Sequence, residues 1–80
     1  MKLRSSPSSL PTARELIAAN IRRLRKAKNL SQEQLAELAH LHRTYVSQLE
    51  RCVTNISINR LERLARVLGV EVSELLHPLR

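Results

Sequence analysis

Residues 31–51 read SQEQLAELAHLHRTYVSQLER, and the fold turns on this stretch. Ser31 followed three residues later by Gln34 is a capping box, in which each side chain bonds the other residue's backbone N–H at a helix start. Leu35, Ala36, Leu38 and Ala39 then recur at helical spacing and predict a short helix that ends near His40. Leu41 and His42 interrupt the pattern. It resumes over residues 43–51, with Val46 and Leu49 on one side and Tyr45 beside them. Two short helices joined by a turn of about three residues are therefore expected, which is helix-turn-helix geometry.

Upstream, Thr12 and Glu15 form another capping box, and Ile17, Ile21 and Leu24 continue it into a helix over residues 13–28. Its other faces carry Arg22, Arg23, Lys26 and Lys28, and Asn29, which tolerates a left-handed backbone, stops it. Downstream, residues 52–56 read as a loop and Ser57 as the N-cap of a fourth helix with a buried stripe of Leu61, Leu64, Ala65 and Leu68. Gly69 closes that helix, and residues 70–76 predict a short fifth one ended by Pro78. Residues 1–11, with four Ser and two Pro, have the composition of a flexible arm ahead of one domain over residues 12–80.

Composition agrees with this all-α reading. Eighty residues suit a single core, and that core must be aliphatic, because Tyr45 is the lone aromatic. One Gly and three Pro are too few for the turns of an all-β chain. Fourteen Lys and Arg against seven Glu, with no Asp, give a formal charge of +7 and favour a polyanionic partner. Cys52 is alone, so no intramolecular disulfide can form, and no apolar run resembles a signal peptide or membrane span. A cytoplasmic protein with no membrane partner is expected.

Residues 31–51 resemble the helix-turn-helix of the lambda-type phage repressors, the XRE family. The likeness continues through RLERLARVLGVEVSELL at residues 60–76 and covers about residues 13–76. It implies a compact five-helix DNA-binding domain, with small Ala36 where the two motif helices cross and Leu35, Ala39, Leu41, Val46 and Leu49 at the packing positions. The same resemblance makes Arg43, Thr44 and Gln48 base readers, with Ser47 on the same free face. Arg can bond both acceptors of a guanine edge, Gln can pair bidentately with adenine, and a Thr methyl can touch thymine. Gln32 matches a DNA-backbone clamp, and Arg51 is expected to act likewise. Tyr45 stays open between packing on the core and reaching a phosphate with its hydroxyl. Arg25 and Glu50 match a family ion pair that ties the first helix to the recognition helix. Three departures stand out: His40 and Cys52 replace glycines, Ile56 replaces a common proline, and in addition His42 replaces the usual Ser or Thr cap.

Val72, Leu75, Leu76 and Leu79 offer more apolar surface than a two-turn helix can bury at home, so a homodimer on a pseudo-palindromic operator is expected. The run HRTYVSQLER followed by TNISI is similar to the restriction-modification controller proteins, stand-alone regulators that bind their own promoter, and RNA polymerase is a further partner left open. The alternatives are an antitoxin-like or phage-type autorepressor and, in another class, a helical protein-interaction module that binds no DNA. His40, His42, Cys52 and His77 lack the paired spacing of a structural zinc site, so neither metal nor cofactor is expected. Without Asp, a Gly-rich phosphate loop or a nucleophile with an ordered base, the chain does not read as an enzyme.

Overall fold

The computed structural model describes residues 10–78. Four α-helices follow in order, α1 Ala13–Ala27, α2 Gln32–Leu38, α3 Arg43–Glu50 and α4 Ile58–Leu68, and a 3-10 turn over Val72–Leu76 follows them. The all-α class therefore holds, with one correction: the fifth element is a 3-10 turn and not an α-helix. Gly69 is left-handed at φ 75, and the residue before Pro78 is driven out of helical conformation. Between those stops only five residues coil, too few to offset the cost of an α-helical nucleus, and the tighter i→i+3 pattern takes over, as in Glu74 N–H to Glu71 O at 2.9 Å.

Capping residues fix the helix starts. Thr12 with Glu15 and Ser31 with Gln34 make reciprocal capping boxes, and the Ser57 hydroxyl accepts from the Arg60 N–H. α3 is the exception, since His42 makes no side-chain cap bond, as the absence of a Ser or Thr there predicts.

The helix ends repeat one device four times. A left-handed residue follows each helix, its N–H and that of the next residue turning back onto the last-turn carbonyls. After α2, His40 N–H reaches Glu37 O at 3.2 Å and Leu41 N–H reaches Ala36 O at 2.8 Å. Asn29, Cys52 and Gly69 repeat the pattern after α1, α3 and α4. The sequence departures at His40 and Cys52 thus place side chains at φ 60 and φ 62, where glycine is free of strain. Left-handed backbone costs a residue with a Cβ about 1–2 kcal/mol, and adding glycine's freedom to the unfolded chain returns about 0.4–1 kcal/mol of that. His40→Gly should therefore raise the melting temperature by about 2–4 °C without altering DNA affinity. Its carbonyl, which accepts from Arg63 Nη1 at 3.3 Å, is kept. A lower melting temperature would show that the imidazole stabilises the turn.

The core draws on every element. Ile17 and Ile21 of α1, Leu35 and Ala36 of α2 with its C-cap Ala39, Val46 and Leu49 of α3, and Leu61, Leu64, Ala65 and Leu68 of α4 form one buried cluster with Leu75. Ala36 and Ala39 carry no bulk beyond Cβ, which lets α2 lie close against its neighbours. Leu38 is 56% exposed, because it lies on the other side of Leu35 from Ala36 and Ala39 on so short a helix. One expectation fails. Leu75, expected at a subunit interface, is fully buried in its own core and is closed to a partner. Val72 is half-buried, Leu76 is exposed, and Leu79 lies outside the described residues.

Candidate nucleic-acid interface

α3 turns its chemistry outward because its apolar residues occupy a single side. At about 100° per residue, Val46 and Leu49 fall together, Thr44, Ser47, Gln48 and Arg51 fall on the opposite face, and Arg43 stands at its edge in the first turn. Burial agrees: Val46 and Leu49 are buried, Arg43, Thr44 and Arg51 are exposed, and Ser47 and Gln48 are half-exposed. One convex face thus carries two guanidiniums, two hydroxyls and a carboxamide, which suits base edges and phosphates in a major groove.

Glu50, the one acid of α3, is withdrawn from that face. Arg25 grips it with Nε to Oε2 at 2.7 Å and Nη2 to Oε1 at 3.1 Å, and a third bond runs from Arg25 Nη1 to Leu30 O at 2.8 Å. The side chains are 11% and 3% exposed, so the pair is a fork-to-fork bridge shielded from water. It joins the last turn of α1 to the last residue of α3, as the family resemblance implies, and neutralises the helix's negative charge. Gln32 completes the cluster by donating from Nε2 to Glu50 Oε1 at 3.0 Å. This contact gives Gln32 a role its expected part as a backbone clamp did not include. One amide hydrogen faces inward, leaving the other hydrogen and the N–H groups of Gln32 and Glu33 to donate to a phosphate.

Of the two roles that its position left open, Tyr45 packs on the core, and its hydroxyl turns to the protein. The ring packs half-buried against the core, and the hydroxyl accepts from the Ser57 N–H at 3.4 Å. The Arg60 guanidinium lies 5.0 Å from the ring centroid, a cation–π contact that links α3 to the start of α4. Tyr45 therefore braces α3 against its C-terminal neighbour, as Glu50 braces it against α1.

One polar residue escaped the sequence reading. Asn20 is 1% exposed on the inner face of α1, where it bonds the C-terminal turn. Its place among Ile17, Ile21 and Leu24 on the same helical face was the signal that it points inward. Among the described residues no three of His, Cys, Asp and Glu gather in a way that could hold a metal ion. Among the same residues no helix is long and apolar enough to cross a membrane.

These features define a helix-turn-helix protein: residues 21–75 match the helix-turn-helix family, and the chain belongs to it. It is 46% identical over 63 residues to the control protein C.SmaI of Serratia marcescens, across 79% of this chain and 75% of that one. Among solved structures it is similar to the restriction-modification controller protein C.AhdI from Aeromonas hydrophila, with a TM-score of 0.74 and 42% identity over 78% of this chain and 94% of that one. It is also similar to SinR, a master regulator for biofilm formation, in complex with DNA, with a TM-score of 0.72 and 42% identity over 76% and 98% of the two chains.

Proposed function

We propose that the protein is a sequence-specific double-stranded DNA-binding transcriptional regulator of the restriction-modification controller type, acting as a homodimer at its own promoter. The outward face of α3 carries this reading: side chains whose chemistry suits base edges stand exposed there while the adjoining acid is neutralised from behind. The likeness to C.SmaI and C.AhdI, both named as control or controller proteins, supports the regulatory assignment. SinR solved with DNA supports the choice of nucleic acid. A single aromatic provides no stacking platform for single strands, which again favours duplex DNA. Two copies related by a two-fold axis would set their α3 helices about 34 Å apart on one face of the duplex, so the operator is a pseudo-palindrome with half-sites one turn apart. RNA polymerase would be a second partner if the regulator activates.

Selection of bound duplexes from a random library tests the reading and yields the half-site. On that site Arg43→Ala should cost about 1–3 kcal/mol of binding and relax the preference at one or two guanines. Unchanged affinity for cognate and random duplexes alike would mean that α3 is not the reading helix.

A further inference from the structure

Leu75 and Leu76 are adjacent in a turn that has about three residues per revolution, so a slip of one residue would rotate the segment by about 120° and exchange the two leucines. Val72, three residues before Leu75, packs half-buried against the same core, whereas exposed Ser73 shares the side of Leu76, so the apolar pattern already favours Leu75 inward. The structure makes that choice: Leu75 is fully buried and Leu76 is 41% exposed. A directional contact can hold the register that burial favours.

Asn20 has the required geometry. Its Nδ2 donates to the carbonyls of Leu75 and His77, both at 2.8 Å, and its Oδ1 accepts from Arg23 Nη2 at 3.0 Å. Those two carbonyls lie at the end of the 3-10 turn, where helical partners run out, so α1 supplies a C-cap from a distance of more than fifty residues. His77 is extended at φ -77 and ψ 141, the conformation that a following proline favours. Pro78 thereby helps set the second acceptor within reach of an amide whose two hydrogens are both engaged.

We infer that Asn20 is the positioning residue of the subunit interface, fixing from α1 the register in which the C-terminal turn presents Leu76 to a second copy of the chain. The inference rests on the dimer proposed above. A buried polar group used in this way holds one arrangement against apolar alternatives.

Sedimentation equilibrium of Asn20→Ala, beside the core variant Leu64→Val as a control for lost stability, reads the effect directly. Asn20→Ala should raise the dimer dissociation constant about tenfold or more, since the orphaned carbonyls free the turn from its register. Its affinity for a single half-site should stay that of the parent protein, and Leu64→Val should leave dimerisation unchanged. A lowered melting temperature with an unaltered dimer constant would make Asn20 a core residue only, and overturn the inference. Should Asn20→Ala fail to fold, the parent protein decides: exchange of the Asn20 side-chain amide protons, followed by NMR, should slow as concentration rises through the dimer constant, and concentration-independent exchange overturns the inference. A parent protein that sediments as a monomer at micromolar concentration removes the dimer itself, a failure distinct from either of these.

Discussion

Arg25→Ala should lose about 3–5 kcal/mol of folding stability, the usual result of removing one partner from a buried ion pair. Glu50, 3% exposed, would be left with only the Gln32 amide in place of a guanidinium fork. Against a total stability of about 5–15 kcal/mol for domains of ordinary size, this places the variant near the edge of folding. Its melting temperature should fall by more than about 12 °C. The double variant Arg25→Met with Glu50→Leu should recover most of that loss, because apolar side chains of similar volume leave no charge to desolvate. DNA binding should not recover with it. The pair sets the angle of α3 through fixed hydrogen bonds, and a repacked apolar contact holds that angle less tightly. Urea unfolding of both variants beside a gel shift separates the two roles. A single variant within about 1 kcal/mol of the parent would show that water already solvates the pair.

Leu76→Asp should give a folded monomer with full-site affinity reduced about 10²–10⁴-fold, the advantage conferred when a second DNA-binding module acts within the same complex. Leu76 is the suitable probe because it is 41% exposed in the subunit and lies outside its buried core, unlike Leu75. At an apolar two-fold interface, by contrast, two such carboxylates would face each other. Half-site binding by the variant should match that of the parent protein, and its salt dependence on the full site should fall to that of one subunit. Leu75→Asp would fail to discriminate, since it strikes the subunit's own core. Cooperative full-site binding by Leu76→Asp would place the interface elsewhere.

Much of this architecture is local and was therefore legible in the sequence. Thr12, Ser31 and Ser57 act on backbone groups within three residues, and Gly69 closes its own helix, so each could be read from its neighbours. The outward face of α3 was legible for a similar reason: two buried residues at helical spacing define its opposite. Contacts between distant segments were less accessible. Arg25 with Glu50 was reached through family resemblance, not through spacing. Gln32 to Glu50 and Asn20 to Leu75 join residues whose separation carries no periodic signal. The sequence set Leu75 apart from Leu76 only in part: its side chain was open to a place in the subunit's own core, and Val72 three residues earlier shares that side.

The left-handed residues at the helix ends bear on how long the protein survives in a cell. Three of the four, Asn29, His40 and Cys52, carry side chains where only Gly69 is free of strain. If each glycine replacement gains about 0.5 kcal/mol, three together would lower the unfolded fraction about tenfold. Proteases that cut the transiently opened chain sample that fraction, so turnover by this route would slow by the same factor. Where such proteolysis governs turnover, the strain held at these turns would act as a clock on the molecule, shortening the interval over which old copies persist.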